Sequence, residues 1–262
     1  MATRGAGWAA FPHTDTAYDY PGPALKKSWD RLHRGDCEPF PKDEAAQEAW
    51  RLFHAGEFEK ALTAGLAAGG EAINAANKAA NIYANYLEVS EAKQTQIYQD
   101  VAARCEALQA ADPKNASAFY AHAYALGRYS QLVGVAKALA QGIAGKVRAS
   151  LDKTLKLQPK NADAHIAMGA YHAEIINKVG GIVGGLTYGA NKDKALEHYQ
   201  SALKLNPDSA IARIEYAQGL VMLQGKSKMK DAEKLYAEAA KCVPTDAMER
   251  LDVELAKSET EG

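Results

Sequence analysis

The side chains of this sequence that could perform acid–base or metal chemistry are its histidines and cysteines. His13 lies two residues before Asp15, and His33 lies just before Asp36 and Cys37. Neither spacing is that of a zinc site, and a thiol–imidazole pair of His33 and Cys37 would need a third group to orient it. No H-E-x-x-H or G-x-S-x-G motif occurs in the sequence. We therefore expect a non-enzymatic chain with no catalytic residue, no metal ligand and no cofactor.

The overall composition limits the kinds of partner that this chain can bind. The formal net charge is -1, with 24% charged and 47% hydrophobic residues, so no bulk attraction to nucleic acid or to an anionic membrane is expected. The longest apolar runs are too short to cross a bilayer, and the N-terminus lacks an apolar core of signal-peptide length. Three widely separated cysteines give no disulfide framework. These features predict a cytoplasmic protein that neither binds nucleic acid nor inserts into a membrane.

The elements that must position any site are helices arranged in a repeat, because the chain is rich in alanine and poor in β-branched residues. The clearest unit, residues 155–207, begins and ends on L-K-L-x-P and contains two helix-like segments joined by an apolar, glycine-rich loop. The prolines that end four return helices are Pro113, Pro159, Pro207 and Pro244, at spacings of 46, 48 and 37 residues. This pattern predicts a stack of helical hairpins.

These units resemble tetratricopeptide repeats (TPRs), whose period is about 34 residues. The residues that carry the resemblance are Met168 and Gly169 in a first helix, and Ala195, Tyr199, Ala202, Pro207, Ala232, Tyr236, Ala239 and Pro244 in two return helices. The chain is also similar to the helical-repeat region of regulators of microtubule dynamics and to bacterial TPR proteins associated with TRAP transporters. The resemblance implies an all-α, right-handed superhelix of stacked helical hairpins that binds a protein or peptide partner.

The same interpretation divides the chain into three parts. Residues 1–42, rich in proline and aromatic residues, are expected to form an extended arm packed on the solenoid, and one hypothesis places this arm in the concave groove. Residues 43–244 are expected to form about five hairpins, with glycine-rich insertions at 131–145 and 177–191. Residues 245–262 are predicted to form a C-terminal capping helix and tail, because a solenoid needs a terminal helix with one polar face.

The concave side of such a superhelix is lined by the first helix of each hairpin, and partners usually bind there. Placing the chain on the repeat assigns to this groove Asn74, Asn77, Lys78, Asn81, Asn85, Tyr120, Tyr124, Arg128, Ile166, Glu174, Ile214, Glu215 and Gln218. The four asparagines form a polar stripe beside Lys78 that suits the donors and acceptors of an extended peptide backbone. The alternatives are a solvated helix face and a stripe whose hydrogen bonds are filled by the N-terminal arm.

The two glycine-rich insertions are the second candidate site. They are apolar and fall at equivalent bends of neighbouring units, so they are expected to meet on one edge of the solenoid. They could pack on each other, bind an apolar ligand or form a homodimer contact. The residues assigned to a possible pocket are Tyr171, His172, Glu174, Ile182, Leu186 and Tyr188. The sequence thus predicts a scaffold that binds a peptide or partner protein in its groove, with binding of a small apolar molecule as the alternative.

Overall fold

A computed structural model describes residues 7–261, and all regular structure within that range is helical. The first seven helices are α1 (Pro23–Leu32), α2 (Glu44–His54), α3 (Phe58–Ala68), α4 (Ala72–Tyr86), α5 (Glu91–Ala111), α6 (Ala116–Val133) and α7 (Val135–Ala140). The other six are α8 (Ile143–Leu157), α9 (Ala162–Tyr188), α10 (Lys192–Leu205), α11 (Ala210–Gln224), α12 (Met229–Ala239) and α13 (Ala247–Glu261). The start of the predicted arm, residues 1–6, and the last residue of the predicted tail lie outside the described range.

Five helix pairs form the hairpins of the repeat: α2 with α3, α4 with α5, α6 with α8, α9 with α10, and α11 with α12. The first helices of successive hairpins also contact one another, which stacks the hairpins into a solenoid. The prediction of an all-α fold is confirmed. Within residues 7–261 no helix is both long and apolar enough to cross a bilayer.

The hairpin boundaries follow from short sequence signals. Asn115, Asn161 and Ser209 each lie two residues after a helix-ending proline. Their side chains accept hydrogen bonds from backbone N–H groups in the first turns of α6, α9 and α11, at 3.1, 2.8 and 3.1 Å. Such a cap satisfies a donor that the helix itself cannot satisfy. A proline followed by a capping residue therefore ends one hairpin and starts the next.

Close packing between hairpins depends on two glycines that face the same ring. Tyr199 of α10 is 1% exposed and lies between Gly169 of α9 and Gly219 of α11. A Cβ atom on Gly169 would lie 2.8 Å from the ring, and one on Gly219 would lie 2.5 Å from it. Neither position can hold a larger residue without displacing Tyr199, so the two glycines set the spacing of the fourth and fifth hairpins.

The sequence predicts an apolar loop within 177–191, and this prediction is wrong. Helix α9 continues through the glycines to Tyr188, with a kink at Gly180, whose φ of 79° lies in the region that favours glycine. The other insertion holds the short helix α7 between Gly134 and Gly142, both with positive φ. Apolar residues of both insertions, among them Ala138 and Ala190, belong to one buried cluster. The insertions therefore pack on each other.

Part of the second insertion remains on the surface. Ile182 and Leu186 lie one turn apart in the second half of α9 and are 81% and 86% exposed, and Val183 between them is 49% exposed. Ile182 and Leu186 are thus too exposed to line the enclosed pocket to which the sequence assigns them. The physical reason is the kink at Gly180, which turns this last segment of α9 so that these side chains point outwards.

The two ends of the solenoid are joined to each other. Residues 8–20 and α1 cover α2, α3 and α4, with Trp8 stacked on Tyr83 at a ring distance of 3.9 Å. Helix α13 packs on α11 and α12 through Val253 and on the first hairpins through Leu251. Direct bonds tie the N-terminal region to the C-terminal one; for example, the Tyr20 hydroxyl donates to the carbonyl of Thr245 at 2.5 Å. The repeat array is therefore closed rather than open-ended.

The glycine pair around Tyr199 gives a first test. Gly219→Ala should lower the free energy of unfolding by about 1–3 kcal/mol, because the new methyl group overlaps a fully buried ring. Gly145→Ala, in an exposed and open part of α8, is the matched control and should be stabilising by up to about 1 kcal/mol through helix propensity. Chemical denaturation measures both, and equal effects of the two variants would contradict the packing described for Tyr199.

Candidate functional site

A short loop after α1 crosses the first turns of several repeat helices. Residues 33–38, named here the crossing loop, accept hydrogen bonds at their backbone carbonyls from the start of the fourth hairpin. The N–H of Asp163 donates to Gly35 at 3.1 Å, and the Asn161 amide donates to Asp36 at 2.7 Å. Glu38 accepts from Asn74 of α4 at 3.1 Å and from the Ser117 hydroxyl of α6. The loop thus connects three first helices across the concave side.

The crossing loop also belongs to a buried chain of polar side chains. Asp246 accepts from Nδ1 of His54 at 2.8 Å, the Nε2 atoms of His54 and His33 are 3.2 Å apart, and Nδ1 of His33 donates to Asp36 at 2.9 Å. Lys78 then forms an ion pair with Asp36. We call these five residues the polar chain. It links the start of α13, the end of α2, the end of α1, the crossing loop and α4.

The hydrogen bonds of the polar chain limit how many of its ring nitrogens carry a proton. With both carboxyl groups ionised, three of the four ring nitrogens must carry a proton for every bond to form. Burial lowers the pKa of His33 to about 4, although Asp36 opposes the shift, so burial favours the neutral form of His33. Burial alone would raise the pKa of Asp36, but Lys78 and His33 outweigh burial and hold that pKa well below its usual range.

Between the first helices, the crossing loop and α13 lies a chamber. Its cavity volume is about 180 Å³. Most of its wall is apolar, with Trp50, Ile82 and Ile166 among the lining residues, and tyrosines such as Tyr86, Tyr120 and Tyr124 line it as well. Helix α13 contributes Met248 and Asp252 to the wall, and the crossing loop contributes Asp36 and Glu38. The chamber is therefore built from residues at both ends of the sequence.

Several carboxyl groups of the chamber have a pKa above the usual range of a carboxyl group. Burial, reinforced by neighbouring carboxyl groups, raises the pKa of Asp252 to about 8 and that of Glu38 to about 7. Burial also raises the pKa of Asp163 to about 6, against the effect of Lys78. The pKa of Glu174 is raised by burial as well. Charged carboxylates are thus unfavourable in this space unless a positive charge accompanies them.

Three lining residues have a buried polar atom that lacks a hydrogen-bond partner among the described residues. These atoms are Nε1 of Trp50, Oδ1 of Asn81 and Oδ1 of Asn206. Asn81 is 3% exposed, and its amide nitrogen donates to the carbonyl of Ala121 at 3.2 Å. A buried unsatisfied acceptor costs free energy. These atoms therefore indicate where a ligand could complete the wall.

The groove residues assigned from the sequence divide into two groups. Those that line the chamber are Asn74, Lys78, Asn81, Tyr120, Tyr124, Arg128, Ile166, Glu174 and Glu215. The others lie elsewhere: Asn77 is fully buried between Arg104 and Cys105, Ile214 is in the core, Gln218 is exposed, and Asn85 is half-buried outside the wall. The asparagine stripe is thus largely buried rather than solvated, and the arm supplies one of its partners through Glu38.

The residues assigned to the second pocket are also separated. Tyr171 and Glu174 line the chamber, where the Glu174 carboxylate accepts from the Gln131 amide at 2.5 Å. Tyr188 accepts at its carbonyl from the Tyr171 hydroxyl at 3.0 Å. His172 is 1% exposed and is not part of the wall. The first glycine-rich insertion therefore forms one flank of the chamber, through α7 and the start of α8, whereas no residue of 177–191 lines it.

Sequence reasoning missed the chamber residues that come from outside the repeats. Asp36 and Glu38 belong to the arm, and Asp252 belongs to α13. One signal was present: Asp252 follows Met248 by four residues and adjoins Leu251, so it lies on the apolar face of that helix. A carboxyl group on a buried face needs a partner or a function.

The cysteines and histidines considered first for chemistry are held in structural roles. Burial raises the pKa of Cys37 to about 11 and that of Cys105 to about 12, so both thiols are neutral near pH 7. Within residues 7–261, no three His, Cys, Asp or Glu side chains are grouped so that they could hold a metal ion. His33 and His54 are bound within the polar chain.

A comparison with solved structures finds a protein of the same architecture. The crystal structure of TTC0263, a thermophilic TPR protein of Thermus thermophilus, superposes with a TM-score of 0.57 and covers 82% of this chain and 98% of its own. The chain has the TPR fold. Sequence identity to that protein is 18%, which establishes the fold alone. Neither protein-family models nor curated protein sequences match the chain.

The ion pair of the polar chain can be tested by removing one partner. Lys78→Met should lower the free energy of unfolding by about 3–5 kcal/mol, because it leaves the buried Asp36 carboxylate without its cation. The double variant Asp36→Asn/Lys78→Met should recover much of this loss. Lys60→Met breaks an exposed pair with Glu57 and should change stability by less than about 1 kcal/mol. A small effect of Lys78→Met would show that the pair is not buried as described.

The raised pKa of Asp252 predicts a pH effect of known sign. Its pKa in the folded protein, about 8, lies above its ordinary value of 3.8, so between about pH 4 and pH 8 the folded state binds more protons than the unfolded state. Asp252 therefore contributes a loss of stability as pH rises through this window, and Asp252→Asn removes that contribution. The stability of the variant relative to wild type should rise with pH by at most about 1.4 kcal/mol per unit.

Urea titrations of both proteins between pH 5 and pH 8 measure this difference. Asp100→Asn, at an exposed position of α5, controls for the loss of a surface carboxyl group. Parallel stability profiles for wild type and Asp252→Asn would contradict the assigned pKa.

Proposed function

We propose that this protein is a non-enzymatic helical-repeat binding protein whose ligand occupies the chamber. The observation that carries the proposal is the closure of the concave side by the crossing loop and α13, which leaves an enclosed space instead of a long groove. Solenoids commonly bind on their concave surface, and ligand pockets are typically apolar cavities with a few polar groups. The chamber has this composition.

The shape of the site favours a compact ligand over an extended peptide. A peptide lying along the concave side would meet the crossing loop, which is bonded to α4, α6 and α9, and would also meet α13. Both would have to leave before such a peptide could bind. The cavity volume of the chamber is about 180 Å³, below the roughly 300–1,000 Å³ of a typical ligand pocket, so the chamber suits a small ligand. The alternative of small-molecule binding is therefore preferred, at the chamber and not at a separate pocket formed by the two insertions alone.

The state of the reactive side chains supports a binding role over catalysis. The His33 and His54 rings are held in bonds to Asp36 and Asp246, and the Cys37 thiol is neutral. The chamber wall offers aromatic rings and carboxyl groups that can contact a ligand. The fold is one that often serves as a scaffold for interactions.

Filling the chamber tests the proposal. Ala170 lines the wall, and Ala170→Trp should occupy the space that the ligand would take. Native mass spectrometry of freshly purified wild type should show a ligand-bound species that is absent from this variant. Ala67→Trp, on an exposed part of α3, is the matched control and should keep the bound species. An unliganded mass for the wild type, or a bound species that persists in Ala170→Trp, would contradict the proposal.

A further inference from the structure

We propose that the chamber binds an organic cation, an amine or guanidine carried on an apolar or aromatic body. This inference rests on the proposed function, because it names the class of ligand that the chamber would hold. It is carried by three features of the wall: the balance of charge, the unsatisfied acceptors and the aromatic rings that line it.

The charge of the wall is strongly one-sided. Seven carboxyl groups line the chamber, against two cationic side chains. Both cations are already neutralised, since Lys78 pairs with Asp36 and Arg128 donates to Glu215 at 2.9 Å. An anionic ligand would therefore meet cations that are already paired, whereas a cation would meet carboxyl groups that have no cationic partner.

Four wall carboxyl groups have no cationic partner within 4.0 Å among the described residues. These are Glu38, Asp163, Glu174 and Asp252. The remaining one, Glu249, is paired with Arg31 at 2.6 Å. The Tyr86 hydroxyl bonds to Asp252, and the amide of Gln131 bonds to Glu174. Neutral donors of this kind leave the charge of the carboxylate uncompensated, so the empty chamber favours the protonated acids. A bound cation would replace those protons.

Two amide oxygens give an independent indication of the same polarity. Oδ1 of Asn81 and Oδ1 of Asn206 are buried and have no donor among the described residues. Asn81 is 3% exposed and its amide nitrogen is already bonded to Ala121, so the orientation of the amide is fixed by that bond. Ammonium and guanidinium groups carry donors and no acceptor. Either group would therefore supply the hydrogen-bond donors that these two oxygens lack.

Aromatic rings complete a site for an organic cation rather than a bare ion. Tyr86, Tyr120 and Tyr124 line the chamber, and the face of a tyrosine ring attracts a cation electrostatically. The wall already contains one such contact, with the guanidinium of Arg128 lying 5.3 Å from the centre of the Tyr124 ring. The apolar wall around these rings suits a hydrocarbon body, which an inorganic cation does not have.

Three probes of similar size separate charge from shape. Benzylamine, benzyl alcohol and benzoate share one ring and differ in charge, and isothermal titration calorimetry at pH 7.5 measures each against the full chain. We expect benzylamine to bind at least tenfold more tightly than benzyl alcohol, and benzoate to bind more weakly than both. Ala170→Trp should abolish the benzylamine signal.

Two variants locate the charge that the amine meets. Asp163→Asn and Asp252→Asn should each weaken benzylamine at least threefold and leave benzyl alcohol unchanged, whereas Asp100→Asn on the outer surface should leave both unchanged. Thermal unfolding of each variant establishes that it is folded, and the comparison of probes on the wild type does not depend on any variant.

The outcomes distinguish this inference from the proposed function. If benzyl alcohol or benzoate binds as tightly as benzylamine, and Ala170→Trp still blocks binding, the chamber is a ligand site but the preference for a cation is wrong. Retention of benzylamine binding in Ala170→Trp would place the cation outside the chamber and overturn the inference. Absence of binding by all three probes would overturn both this inference and the proposed function.

Discussion

The buried polar chain from Asp246 through His54, His33 and Asp36 to Lys78 is the interaction on which the closed architecture depends. Its members come from opposite ends of the sequence, and none of them can be left alone in the interior without a large desolvation cost. Trp29 and Trp50 stack on the two imidazole rings and exclude water from them. The arm, the first hairpin and the last helix must therefore come together in one arrangement, because any partial arrangement leaves a buried charge unpaired.

The same closure explains why the chamber is rich in carboxyl groups. In an open solenoid, Glu38, Asp163 and Asp252 would face water and ionise freely. Here the crossing loop and α13 enclose them, and burial raises the pKa of each. Burying these carboxyl groups lowers the stability of the protein without its ligand. Such a local cost in stability is typical of functional sites. In the polar chain Asp36 is paired with Lys78, whereas four carboxyl groups of the chamber wall have no cationic partner among the described residues.

Local signals in the sequence were enough to predict most of the helical framework. Pro113, Pro159 and Pro207 marked the ends of return helices, and Gly169 and Tyr199 were among the residues that carried the resemblance to the repeat. The glycines near Gly180 led to the wrong prediction of a loop, because glycine usually weakens a helix. In the structure, packing of the two insertions keeps most of the segment helical. The chamber could not be predicted, since Asp36 and Asp252 reach it only through contacts between distant segments, which no local pattern encodes.

Closure also changes how the chain must fold. An open repeat array contacts only its neighbours, so its hairpins can form and separate one at a time. The bond between His54 and Asp246 joins residues 192 positions apart, and this long-range pairing raises the contact order above that of an open array. Loop closure on this scale adds an entropic barrier that grows only slowly with length. Once the ring is formed, no terminal hairpin can fray without breaking the polar chain, and the array behaves as one cooperative unit.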